Sequence, residues 1–263
     1  MIYARQSRHG FTLLELLLSM ALGMMVLILA ITLLGRSVDH YECIGGGVSA
    51  ERESRAVLTQ LTADLSCAHF HKDGVFEQSA ADWPLDNLGF LSLQARDAQS
   101  TAGQLGDLCA IHYYSKDLLI NGKTVRCLMR GFRDSHATFT ALRDGQTPTL
   151  FSATERDEPV AFGILSFEAR PLTRDTSGHW QAWEKSAAHA PEAVAVRLVI
   201  ARRDLVSKLG TTAAWNGNGA TAGLLGRASQ AGTNPRLEVY AALIRFGHPT
   251  PAPTPATTPA PTP

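Results

Sequence analysis

Apolar and polar positions divide this chain into three regimes. From Phe11 to Leu34 the residues are predominantly apolar, and the only charge among them is Glu15. A helix needs about 20 such residues to cross a bilayer. An acid at membrane depth costs roughly 2.5–3.5 kcal/mol on insertion scales, which marks Glu15 as a functional candidate. A second regime begins at Val48, where Val57, Leu58, Leu61 and Leu65 recur on one helical face and Glu51 and Arg55 stand four apart. Between the two, Arg36 to Tyr41 is polar and Gly45-Gly46-Gly47 follows. Each glycine costs about 1 kcal/mol against alanine in a helix, so the triplet predicts a hinge or a break.

Beyond His69 the period shortens to that of strands. Leu88 to Leu93 predicts one, and Ala110–Tyr114 with Thr124–Met129 flank Asn121-Gly122, a strong turn signal. Val160 to Ala169 predicts another strand. Ala193 to Ile200 alternates with Val194, Val196, Leu198 and Ile200 on one face, and Leu237 to Ile244 closes the series. A long helix followed by mostly antiparallel strands is an α+β arrangement. Trp215 to Gly226, rich in glycine and asparagine, reads as a long flexible loop. Residues 248–263 are almost wholly Pro, Thr and Ala, a composition that favours polyproline II or disorder over a packed core.

Composition narrows the function. Formal net charge is zero, so nothing argues for a nucleic-acid partner. Arg5 and Arg8 precede the apolar run without any acid, which favours a cytoplasmic N-terminus and would put the bulk of the chain on the far side of the membrane. The four cysteines, Cys43, Cys67, Cys109 and Cys127, form no C-x-x-C pair. Cys43 and Cys67 would stand about 36 Å apart along a continuous helix, too far to bridge. Cys109 and Cys127 flank the predicted hairpin and are the better disulfide candidates; four small buried hydrophobes are the equal alternative.

Cys67, His69, His71 and Asp73 form the one cluster with ligand chemistry. An extended chain would put all four on one face, but such local ligands seldom close a tetrahedral shell, and solvated histidines are the favoured reading. No metal, cofactor or catalytic residue is assigned. The chain has no G-x-S-x-G, H-E-x-x-H or Walker sequence. Gly217 to Gly223 nearly mimics a dinucleotide fingerprint but is one residue too long. Arg202-Arg203 and the pair Trp180 and Trp183 read as a solvated corner and a core edge, with a subunit interface as the alternative.

The stretch Arg8-His9-Gly10-Phe11-Thr12-Leu13-Leu14-Glu15 resembles the processing site of type IV prepilins and type II secretion pseudopilins. Glycine, phenylalanine and glutamate fall in that family's order and spacing, at the basic-to-apolar boundary. An ordinary secretory signal instead places a small-residue cleavage site after its apolar region. The resemblance implies that prepilin peptidase cuts between Gly10 and Phe11 and that the new Phe11 amine is methylated. It also implies that Glu15 pairs with an amine, its own or a neighbour's, to guide assembly; a paired carboxylate in hydrocarbon draws helices into a fixed stagger. Losing the leader would leave 22 basic against 24 acidic residues.

Ala190 to Leu198 and the helical stretch Glu51 to Leu65 are similar to the larger, J-type minor pseudopilins. The hairpin Tyr113–Met129, with Arg130-Gly131-Phe132-Arg133 after it, looks like pilin-like proteins of verrucomicrobial gene cassettes. The expected organisation is then a leader (1–10), a transmembrane assembly helix (11–35), an amphipathic continuation (36–68), a periplasmic pilin-like α+β domain (69–247) and a tail (248–263). The expected function is that of a non-enzymatic minor pilin-like subunit in a periplasmic filament serving secretion, anchored once in the inner membrane until extracted. Its expected partners are prepilin peptidase, other pilin or pseudopilin subunits and the inner membrane. The alternative is a periplasmic binding or adhesion domain on a pilin-type anchor. A membrane-anchored enzyme is a third reading, for which the chain displays no set of convergent polar groups.

Overall fold

The computed structural model describes residues 13–69, 74–94, 105–184 and 190–245. The helix α1 runs from Leu13 to Ser66. The glycine triplet does not break it. Helix lies on both sides, so no new nucleus is needed, and three glycines add only about 3 kcal/mol to propagation. Contacts divide the chain between Gly46 and Gly47 into an N-terminal unit and a folded domain.

The domain holds two antiparallel sheets. In the first, β3 (Asn87–Leu93), β4 (Leu108–Ile120), β5 (Lys123–Arg133) and β6 (Glu158–Phe162) lie in chain order. The short strands β1 (Ala68–His69) and β2 (Val75–Glu77) share the outer edge of β3. The β4–β5 hairpin closes at Asn121 and Gly122, whose φ values of 50° and 76° make the mirror-image turn that suits strand twist. The second sheet has the order β10 (Leu237–Arg245), β9 (Ala193–Ala201), β7 (Ile164–Arg174), β8 (Trp180–Ala182).

The strand predicted over Val160–Ala169 is in fact two, in different sheets, because Gly163 adopts φ 75° between them. Its N–H donates to the Arg126 carbonyl of the first sheet, and its carbonyl accepts from Ala201 of the second, both at 2.8 Å. A Cβ there would stand 3.0 Å from Val206 and 3.2 Å from the Ala201 oxygen, so glycine is required. A second stitch joins Pro84 and Asp86 to Phe167 through backbone bonds of 2.9 and 2.8 Å.

One core cluster joins Val57, Leu61 and Leu65 of α1 to apolar side chains of both sheets, among them Phe90, Ile111, Phe167 and Val196. The opposite face of the first sheet is covered by α2 (Ser135–Arg143) and a 3-10 turn at Thr147–Phe151, packed on Leu91 and Ala110. The opposite face of the second is covered in part by the segment carrying α3 (Arg203–Val206), α4 (Thr212–Trp215) and α5 (Ala222–Leu225). The predicted flexible loop over Trp215–Gly226 is thus replaced by short helical turns. Trp215 is fully buried, its Nε1–H donates to the Thr124 carbonyl at 2.9 Å, and Leu225 is buried beside it.

Candidate functional site

The N-terminal unit carries a stretch consistent with a single-pass membrane anchor. Leu16–Leu34 has a mean hydropathy of 2.6 with none of its residues buried, long and apolar enough to cross a bilayer. Its polar side chains are satisfied within the helix. The Ser19 hydroxyl donates to the Leu16 carbonyl at 2.9 Å and that of Thr32 to Leu29 at 2.8 Å, as a hydrocarbon setting demands. Glu15 lies in α1, but its side chain is outside the described atoms, and Gly10 and Phe11 lie outside the described residues.

In the folded domain, the C-terminal part of α1 is held by one buried acid. Asp64 is 1% exposed and receives Arg130 through Nε at 2.7 Å and Nη2 at 3.0 Å. The Tyr113 hydroxyl donates to the same carboxylate at 2.6 Å, and the amides of Gln60 and Gln94 add contacts at 3.2 and 3.3 Å. Burial first, and then the Asp64 charge, hold the Tyr113 phenol well above its ordinary range, so it remains a donor. Ser92 donates to the Asp64 backbone carbonyl at 2.8 Å, and the Phe162 N–H donates to Glu53 at 3.0 Å. The Arg130–Asp64 pair therefore crosses from sheet to helix with almost every polar atom satisfied, the condition under which a buried pair is tolerated.

A second polar cluster sits on the other face of the first sheet. Asp157 accepts from Arg133 (2.7 Å), Tyr114 (2.9 Å), and the Thr154 N–H and hydroxyl (2.8 Å each). Against burial, these donors pull its carboxyl down to about 2. His112 stacks on Tyr114 at 4.7 Å, and neither ring nitrogen has a hydrogen-bond partner among the described residues. The ring fits because its cross-strand neighbours are Gly89 and Gly131, over which Phe151 and Asp157 lie. Burial, helped by Arg133 and opposed by Asp157, lowers its pKa to about 4.

The unfolded chain takes up a proton at His112 near the ordinary 6.5, before the folded one does. Stability present above pH 6.5 is therefore lost as pH falls to about 4, by on the order of 3 kcal/mol. The Asp157 contribution is lost later, as pH falls from 3.8 towards 2. Urea midpoints between pH 7 and 4 are expected to fall for the natural chain and to stay nearly level for His112→Phe. Parallel slopes in the two proteins would refute this assignment.

Cys109 and Cys127 are not joined: both are thiols, and the Cys127 thiol is pushed up to about 12 by burial first. The β4–β5 register explains why. Cys127 lies opposite Lys116, seven residues along β4 from Cys109, or about 24 Å, far beyond disulfide reach. Cys67 and His69 are exposed at the helix exit; His71 and Asp73 lie outside the described residues, as does the tail at 248–263. Arg202 pairs with Glu238, and Trp183 packs edge-on against Phe76 at 5.5 Å. The Asp64–Arg130–Tyr113 and Asp157–Arg133–Tyr114 clusters escaped the sequence reading. A hint lay in the hairpin, where Tyr113-Tyr114 and Arg130 to Arg133 put polar groups on strands otherwise apolar.

Comparison with known families finds one match: a prokaryotic N-terminal methylation motif over residues 5–31. No curated protein matches the chain. The matched span contains Gly10, Phe11 and Glu15 and most of the apolar segment Leu16–Leu34. With a prepilin-type motif leading into an exposed apolar helix, and antiparallel sheets following it, the chain is a type IV pilin-like protein.

Proposed function

We propose that the protein is a minor pilin-like, pseudopilin-type subunit. It is made as a precursor, cut between Gly10 and Phe11, held in the inner membrane, and packed helix-first with other subunits into a periplasmic filament serving secretion. The observation that carries this reading is the methylation motif at residues 5–31, set directly on an unburied apolar helix. The role is structural. Two buried acids of the domain, Asp64 bound by Arg130 and Asp157 bound by Arg133, are consumed by bonds that hold the fold together rather than displayed in a cleft.

Assembly is tested at Glu15. In a filament, each incoming Phe11 amine needs a carboxylate at membrane depth, and Glu15 is the only acid in the apolar run. Glu15→Ala is expected to be cut normally yet to co-purify poorly with filament fractions, with loss of about tenfold or more for a missing charge pair. Incorporation at the natural level would rule out the pairing role.

A further inference from the structure

The strand β10 ends the second sheet. It pairs with β9 over its whole length, Leu237↔Ala201 to Arg245↔Ala193 without a register shift, and with no other strand among the described residues. Two backbone bonds fix the phase of this ladder. The Arg202 N–H donates to the Arg236 carbonyl at 2.9 Å, whereas the Ala201 N–H turns the other way, to Gly163 at 2.8 Å. Leu237↔Ala201 is therefore a non-hydrogen-bonded pair, and alternation turns the N–H and C=O of Val239, Ala241, Leu243 and Arg245 to the open edge. No proline, bulge or mid-strand charge guards that edge, the features by which natural sheets usually prevent strand addition.

The side chains of the same alternate residues lie on the face away from the shared core, which takes Tyr240, Ala242 and Ile244. Beside them is a shallow depression of about 400 Å³ whose floor includes Ala195, Ala241 and Leu243. Its surroundings are rich in guanidinium. Arg170 and Arg197 share Glu168 at 3.1 and 2.6 Å, and Arg174 meets Glu192 only at 3.7 Å. Trp180 is flanked by Arg174 at 4.7 Å and Arg245 at 5.7 Å. Arg245 is exposed and has no carboxylate partner among the described residues. Arginine, tryptophan and an apolar floor are the composition of interface cores.

From this geometry we infer that the β10 edge receives an extended segment of another protein that carries an apolar and an acidic side chain two residues apart, on one face of the strand. Added as a fifth strand, the segment satisfies the edge amides and carbonyls. The strand period then lays an apolar residue beside Leu243 and an acid beside Arg245 on the same face. A second copy of this chain fits poorly. Paired edge to edge with like faces aligned, it offers Arg245 only Leu237, Val239, Ala241, Leu243 or another Arg245, none of them an acid. The inference concerns the globular domain and goes beyond the filament reading without resting on it.

The test uses the full chain in detergent micelles and a fluorescein-labelled peptide matched to the nine residues of β10, in which every second residue is serine and the residues between them alternate valine with glutamate, so that both kinds share one face. Anisotropy is expected to show saturable binding. Ala241→Pro removes one edge N–H while sparing the β9 ladder, and Arg245→Glu removes the charge; each should weaken binding by about tenfold or more. The same peptide with lysine in place of each glutamate should bind Arg245→Glu better than the natural chain. Should Ala241→Pro alter the far-UV circular dichroism, the charge-swapped pair alone decides. Absence of saturable binding, equal binding of both peptides, or indifference to both variants would overturn the proposal. So would dimerisation by sedimentation that Ala241→Pro abolishes, which gives the edge to a second copy. Binding of phosphatidylglycerol vesicles that is lost in Arg245→Glu but kept in Ala241→Pro would instead assign the surface to lipid.

Discussion

Replacing Arg130 with methionine is expected to destabilise the folded domain by about 3–5 kcal/mol, a large share of what a domain of this size has. Asp64 is 1% exposed, and the change strips it of two charge-assisted bonds while leaving its carboxylate in the core. The effect should be local to the contact between α1 and the sheet. Amide exchange over Glu51–Ser66 is expected to accelerate before that of β4 and β5. The triple variant Asp64→Leu/Arg130→Met/Tyr113→Phe should recover most of the loss, because no buried polar atom of the cluster then lacks a partner. Urea midpoints for the single and triple variants check this. A single variant as stable as the natural chain, or a triple variant worse than the single, would show that the cluster does not hold the helix.

The second large effect is expected at Gly10, ahead of the described residues. Gly10→Val is expected to accumulate as a precursor that keeps all ten residues from Met1 to Gly10, with no methylated form. Glycine leaves the bond that follows it open to close approach, and a β-branched side chain stiffens and shields the same backbone. Intact mass measured on membranes of cells expressing the variant decides the matter. Normal trimming of Gly10→Val would discard the cleavage assignment, while leaving the fold of the domain untouched.

What the sequence made legible follows from how local each signal is. Asn121-Gly122 between two apolar runs announced the β4–β5 hairpin because the turn's two positive φ values are a property of those residues alone. The alternation of Val194, Val196, Leu198 and Ile200 announced β9, and the spacing of Val57, Leu61 and Leu65 announced the buried face of α1. The errors came where distant partners decide. Three glycines cost less within a long helix than their propensity implies. Gly163 splits a continuous apolar run because two sheets claim its N–H and its C=O. Trp215 draws a glycine-rich stretch into short helices by filling a pocket under β5. The cysteines flanking the hairpin looked bridgeable only while its register was unknown. Asp64 and Arg130, separated by 66 residues, carried no mark of their pairing in the sequence.

The candidate site was legible to a different degree. Gly10, Phe11 and Glu15 were singled out by their order at a basic-to-apolar boundary, and the methylation motif covers the segment that contains them. The chemistry proposed for them lies with a processing enzyme and with neighbouring chains, so the fold of one subunit says little about it. The helix α1 includes the C-terminal part of the motif, from Leu13 to Ile31, and its Asp64 is bound by Arg130 of the sheet.

Top-down mass spectrometry of the protein isolated from its native membrane bears most directly on this account. The chain is expected to begin at Phe11 with one methyl group on the terminal amine and to retain the whole of Leu16–Leu34. A terminus at Met1, or one lying past Leu34, would contradict it.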